Sequence, residues 1–165
     1  MEVARSTVEI ASIGEPTPQG LVIENLVKVY RTGVIEVLAL RGLSMHIPPG
    51  KIVVIMGPSG CGKTTLLNLI GGLDIPTAGK IQFGAEVISK MSTLEIENYR
   101  RKNVGYIFQF MNLIPILTAA ENIALPMTIS GCSKRAINER VSSLLQLVKL
   151  STRKDHKPEE LSGGE

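Results

Sequence analysis

The chain has 165 residues, the length of one ordinary domain, and 44% hydrophobic against 20% charged side chains, which excludes a disordered or collagen-like polypeptide. Its 18 basic and 15 acidic residues leave a net charge of +3, too small an excess to point to nucleic acid, and no such partner is expected. With 16 Gly and no Trp, backbone turns matter more here than aromatic stacking surfaces.

Met1 to Gly20 carries Glu2, Glu9 and Glu15 against a lone Arg5, with no apolar stretch behind a basic start, so it reads as a flexible leader rather than a secretory signal. Leu21 to Tyr30 and Val34 to Leu40 alternate apolar and polar residues on either side of Arg31, Thr32 and Gly33, which predicts a β-hairpin or meander. Ile52 to Met56 is wholly apolar and of strand length, the pattern of a strand buried on both faces, and Gly57 ends it. A core helix is predicted from Lys63 to about Leu73, with Leu66, Leu67, Leu69, Ile70 and Leu73 at helical intervals. Lys80 to Phe83 and Val104 to Phe108 are further strand candidates. Between them, Ser92 and Glu95 have the capping-box form that opens a helix to about Lys102. Thr118 and Glu121 repeat that form, although Pro126 should kink or end the helix they start. From Lys134 to Leu150, residues Ile137, Val141, Leu144, Leu145 and Val148 make one apolar stripe. Strands come early and helices late, so the expected fold is an α/β core over about residues 21–112 followed by a helical subdomain over about 113–165.

Cys61 and Cys132 lie far apart without metal-ligand spacing, which fits a reducing, intracellular setting. No apolar run approaches the roughly 20 residues that span a bilayer, so a membrane role has to come through a partner. His46, in an apolar strand context, and His156, in a charged loop, read as structural. The basic residues of the last helix read as a solvated face.

Gly57, Pro58, Ser59, Gly60, Cys61, Gly62, Lys63 and Thr64 match GxxxxGK[ST] at every fixed position, directly after the predicted buried strand and before the predicted helix. The glycines let backbone N–H groups face a polyphosphate, and the helix N-terminus adds partial positive charge. Lys63 is placed for the β and γ phosphates, Thr64 for Mg²⁺ and Thr65 for the α phosphate, which implies ATP with Mg²⁺. Cys61 fits there as a small filler. A sharper expectation is a thiol made reactive by the helix N-terminus and Lys63, which bound ATP shields from alkylation.

A phosphate loop alone does not separate kinases, GTPases and transport ATPases. The ending Leu161, Ser162, Gly163, Gly164, Glu165 resembles the LSGGQ signature of ATP-binding cassette (ABC) ATPases. Gln109 follows a predicted strand, as that family's Q-loop glutamine does, and Tyr30 is placed like its A-loop aromatic. The resemblance runs from Leu21 to Glu165. IMGPSGCGKTTLLNLIGGLDIPTAGKI, YRRKNVGYIFQFMNLIPILTAAENIALPM and HKPEELSGGE resemble the ATPases of macrolide-exporter and lipoprotein-releasing type, including those paired with FtsX-like permeases.

The resemblance implies a P-loop NTPase core with an N-terminal antiparallel β subdomain and a helical subdomain. It implies that Tyr30 stacks on adenine, that Lys63 and Gln109 serve the reaction, and that Thr64 with Gln109 surrounds Mg²⁺ and the attacking water. Two such cassettes dimerise head to tail, with Ser162, Gly163 and Gly164 approaching the nucleotide of the opposite subunit. The partners implied are therefore a second ATPase subunit and an integral membrane permease, and the place implied is the cytoplasmic face of the plasma membrane. The apolar run Phe110, Met111, Leu113, Ile114, Pro115, Ile116 and Leu117 is expected partly to pack within the helical subdomain and partly to meet that permease.

In the family the signature is followed by a Walker B strand with a Mg²⁺-binding Asp and a catalytic Glu, then a switch His, and none of these motifs is in the 165 residues. The chain is therefore expected to be a fragment, with unpaired edges on the Ile52 to Met56 strand, weak stability and impaired hydrolysis. Two other functions fit less of the sequence or fit it equally. A DNA-repair type ABC ATPase separates phosphate loop and signature by long coiled coils, whereas here roughly 100 residues without a heptad array lie between them. An FtsE-like regulatory ATPase, acting on a membrane partner without transport, fits the same residues as an exporter.

Overall fold

A computed structural model of the protein describes residues 20–165, so the leader predicted over Met1 to Gly20 lies, apart from Gly20, outside the described residues. The described chain is α/β and divides after Gly105 into two compact units.

The first unit is built on a four-stranded antiparallel sheet in the order β2-β1-β3-β4, formed by β1 (Leu21–Thr32), β2 (Ile35–Ile47), β3 (Ala78–Phe83) and β4 (Glu86–Val87). The long β1–β2 ladder runs from Leu21 opposite Ile47 to Thr32 opposite Ile35, so the predicted hairpin forms and β2 extends beyond the expected Leu40. Leu21 and Ile23 face the core, and so does Leu26, out of step with a period of two. A bulge between Ile23 and Leu26 makes up the difference: Asn25 turns left-handed (φ 48°) and donates its N–H to Ser44 Oγ at 2.8 Å.

Helix α1 (Lys63–Ile70) buries Leu66 and Leu69 with Ile23, Leu26, Leu40 and Ile81 of the sheet. Helix α2 (Thr93–Asn103) adds Tyr99 to that core and closes the far end of α1, with the Tyr99 hydroxyl donating to Ile70 O (3.1 Å) and Arg100 Nη1 to Gly72 O (2.9 Å). These carbonyls belong to the last turn of α1 and its exit, where a helix leaves acceptors unmatched.

Two strand predictions are corrected. Ile52 to Met56 is extended but pairs with no strand among the described residues, and Ile52 is 97% exposed. Val104 to Phe108 likewise forms no ladder, and Ile107 is fully exposed. An apolar run promotes extended backbone, but a strand buried on both faces exists only when neighbours supply hydrogen bonds on both edges. Only Ile55 and Val104 of these segments pack against the sheet's core.

The second unit is a pair of helices, α3 (Ala119–Ile129) and α4 (Lys134–Leu147). Ile137, Val141 and Leu145 of α4 are buried with Ala120, Ile123, Ala124 and Met127 of α3. Val148, predicted on the same stripe, lies past the helix end and is exposed. Pro126 does not end α3, which runs three residues further to Ile129.

Both predicted capping boxes are present. Ser92 Oγ accepts from Glu95 N–H while Ser92 N–H donates to the Glu95 carboxylate, and Thr118 with Glu121 does the same. Bonds from the hydroxyl and amide of Ser92 hold the Glu95 carboxyl below its ordinary value, as the amide and hydroxyl of Thr118 do for Glu121. Because each folded value is depressed, this contribution is complete above the ordinary carboxylate range and is lost as pH falls through the lowered values. Ser92→Ala and Thr118→Ala are expected to speed amide hydrogen exchange in the first turns of α2 and α3 by about fivefold, the effect of losing an N-cap. Acidification of the unaltered chain should lower the protection of those turns relative to the intrinsic exchange rate at each pH, as the Glu95 and Glu121 carboxylates lose the bonds from their N-cap amides.

Candidate functional site

The segment from Gly57 to Lys63 leaves the extended run and enters α1 through glycines that no other residue replaces without strain. Gly62 is the N-cap of α1 with φ 95°, and a Cβ there would lie 2.7 Å from the backbone oxygen of Ala39 on β2. The helix start is thus pressed against the sheet at a distance only glycine tolerates. Gly57 is closed in differently, since a Cβ on it would meet the Cys61 sulfur at 2.6 Å.

Lys63 Nζ turns back over the loop and donates to Gly57 O and Pro58 O, each at 2.8 Å, with Cys61 Sγ at 3.5 Å. The ammonium is held at the mouth of the loop by neutral carbonyls, partners weaker for it than an anionic oxygen is. Gly62 brings no side-chain cap, so the first N–H groups of α1 are not closed off by their own N-cap. Thr64 is exposed on the first turn and Thr65 is half-buried.

Tyr30, at the end of β1, comes to this helix. Its phenol meets the Thr65 side chain and donates to Asp74 Oδ2 at 2.8 Å. Lys28 Nζ lies 4.8 Å from the centroid of the Tyr30 ring and pairs with Asp74 Oδ1 at 2.6 Å. Sequence reasoning missed Lys28 and Asp74. The position of Lys28, two residues before Tyr30 on one strand, was the available sign for it; nothing in the spacing pointed to Asp74, whose place depends on a fold-back after α1.

The structure therefore brings Tyr30 together with the phosphate-loop helix. Gln109 belongs to the second unit, exposed and in irregular backbone just after Tyr106 and Phe108, whose rings stack at 5.3 Å. Ser162, Gly163 and Gly164 lie in that unit on an exposed turn, where Ser162 N–H donates to Glu165 Oε2 (2.9 Å) and Glu165 N–H returns to Ser162 O (3.0 Å). Arg153 Nε holds the Glu165 carboxylate from the side at 3.1 Å. A Cβ on either Gly163 or Gly164 would meet nothing, so both backbones stand open to approach. Phe110, Met111 and Ile116 are exposed, while Asn122 ties the neighbouring backbone through Ile114 N–H, Ile114 O and Leu117 O.

Among the described residues no helix is long and apolar enough to cross a membrane, and no cluster of three His, Cys, Asp or Glu side chains is placed to hold a metal.

The profile of the family described as ABC transporter matches residues 40–165. The chain belongs to the ABC transporter family. It is 43% identical over 145 residues to an uncharacterized ABC transporter ATP-binding protein of Mycobacterium tuberculosis, covering 88% of this chain and 44% of that protein. It is 47% identical over 126 residues to the lipoprotein-releasing system ATP-binding protein LolD of Bacteroides thetaiotaomicron, covering 76% and 58%. An uncharacterized ABC transporter ATP-binding protein of Thermotoga maritima is 44% identical over 138 residues, covering 84% and 59%. This ABC chain thus spans between 44% and 59% of the length of these curated relatives. Among solved structures, the dimeric form of the bacterial ABC transporter cassette MJ0796 superposes with a TM-score of 0.79 at 37% identity, covering 87% of this chain and 63% of that one. Another structure of MJ0796, dimeric and bound to ADP and Pi, superposes equally well. The fold is that of the P-loop NTPase cassettes of this family.

Gly62→Ala should destabilise the first unit by more than the about 1–2 kcal/mol that left-handed backbone costs an alanine, because the Ala39 carbonyl must also move. Gly60→Ala, with φ 79° and open space around its Cβ, should cost only the backbone term. Denaturant unfolding of the two variants side by side reads the difference.

Proposed function

We propose that this chain is the ATP-binding part of an ABC transport complex, holding Mg-ATP on the Gly57 to Thr65 loop. The observation that supports it most is the loop itself: Lys63 Nζ poised on Gly57 O and Pro58 O at the head of a helix whose left-handed Gly62 brings no side-chain cap. In this reading the phosphates displace the two carbonyls from Lys63, and backbone N–H groups of Ser59 to Thr64 take up the remaining oxygens. Cys61 lines the loop, and Thr65 serves the α phosphate. The exposed Thr64 hydroxyl is a hard oxygen donor of the kind Mg²⁺ accepts alongside phosphate and water, and Gln109 is assigned to the same ion and to the attacking water. Bound Mg²⁺ neutralises charge developing on the transferred phosphoryl group. Tyr30, 37% exposed, offers its ring to adenine.

Ser162, Gly163 and Gly164 are assigned to the nucleotide of a second subunit in a head-to-tail dimer. The open Gly163 and Gly164 backbones and the dimeric state of MJ0796 support that assignment. The exposed apolar residues Phe110, Met111 and Ile116 are assigned to an integral membrane permease of exporter or lipoprotein-releasing type, and the chain to the cytoplasmic face of the plasma membrane where such a permease is met. The similarity to LolD supports that branch.

Lys63→Ala should weaken binding of a fluorescent ATP analogue by at least about tenfold, the loss of one charge-assisted contact. An unchanged affinity would overturn the assignment of the loop. The family's water-polarising Glu is not among the 165 residues, so this polypeptide assayed alone should bind Mg-ATP yet release phosphate at least about a hundredfold more slowly than a complete cassette. Phosphate release by this polypeptide and by a complete cassette, measured in parallel, reads that ratio.

A further inference from the structure

A group of three side chains outside the phosphate loop joins β1 to the exit of α1. After α1 the chain folds back, with Leu73 N–H and Asp74 N–H both donating to Asn68 O, and this sets the Asp74 carboxylate beside the helix. Lys28 Nζ donates to Asp74 Oδ1 at 2.6 Å and to Ile75 O at 2.7 Å, and Tyr30 Oη donates to Asp74 Oδ2 at 2.8 Å. The same turn is sewn to the strand backbone by Thr77 N–H to Val27 O and Val29 N–H to Thr77 Oγ1, each at 2.9 Å. Both oxygens of Asp74 are engaged, and Lys28 lies over the Tyr30 ring. The ring's tilt and its distance from α1 are therefore held by two charged, half-buried partners rather than left to rotate at a strand end.

We propose that Lys28 and Asp74 are positioning residues for the nucleotide base, fixing the plane of Tyr30 relative to the phosphate loop and so setting the preference for ATP over a bare polyphosphate. This rests on the reading of Tyr30 as the base platform. A phosphate loop recognises any polyphosphate; what distinguishes ATP is the contact at the base, and a stacking surface contributes fully only when its orientation is fixed beforehand. The electrostatics agree with the geometry. Burial alone would raise the Asp74 carboxyl, but the bonds from Lys28 and Tyr30 outweigh it and keep the group below its ordinary value. Burial and then the bond to Asp74 push the Tyr30 phenol above its ordinary value, against a smaller opposing effect from Thr65.

The test measures ATP and inorganic tripolyphosphate affinities on the whole chain and on Asp74→Ala, Asp74→Asn, Lys28→Met and Tyr30→Ala, with circular dichroism to match their helix content. Asp74→Ala and Lys28→Met should weaken ATP by about tenfold and leave tripolyphosphate within about twofold, the signature of a lost base contact. Asp74→Asn keeps an acceptor for the phenol and should lose less, while an ultraviolet titration shows the Tyr30 phenol ionising at lower pH because the carboxylate charge is gone. An equal loss for both ligands in Asp74→Ala makes the residue a general brace and overturns the inference. So does an unchanged ratio in Asp74→Ala alongside a changed one in Tyr30→Ala. An unchanged ratio in Tyr30→Ala removes the base platform itself, which is the failure of the underlying reading.

Discussion

The close approach of Gly62 to the Ala39 carbonyl is the constraint on which the first unit turns. It seats the head of an eight-residue helix on β2, and from that seat Leu66 and Leu69 reach the sheet's core. At about 1.5 Å per residue such a helix is only ~12 Å long, so its two ends cannot be adjusted independently. Its exit is held in turn: Tyr99 and Arg100 take carbonyls of the last turn and of the residues just beyond it, and Asp74 is gripped from β1. A short rod fixed at both ends gives the loop at its head a defined place relative to the strand that carries Tyr30.

The local signals were the most legible. Ser92 with Glu95 and Thr118 with Glu121 act within four residues of each other, so the capping boxes could be read directly and both are there. The α4 stripe was readable for the same reason, and its error at Val148 lies at the helix end, where fraying decides. The buried strands read from composition at Ile52 to Met56 and Val104 to Phe108 do not form, because pairing depends on what lies alongside; for Ile52 to Met56 the expected unpaired edges are what is found. Pro126 was expected to kink or end its helix, and α3 does not end there. It removes one donor from α3, but packing of Ile123 and Met127 against α4 spans the gap, and tertiary contact overrides the local break.

At the candidate site, the glycine loop running into α1 could be read because its residues are contiguous. Tyr30 could be placed only through likeness to a family, since a lone aromatic at a strand end has no distinguishing pattern. Its neighbour Asp74 was invisible in the sequence: 46 positions separate it from Lys28, and the fold-back onto Asn68 that unites them leaves no periodic trace.

Asn122 sits on the first turn of α3, yet its side chain serves the segment before that helix, accepting from Ile114 N–H and donating to the carbonyls of Ile114, Leu117 and Thr118. Apolar residues in irregular backbone ordinarily sample many shapes, and a partner that selects one of them bears the loss of all the others. Here one amide has already restricted Ile114 to Thr118 before any encounter. The exposed Ile116 thus stands on backbone of settled contour, its shape set from within the unit.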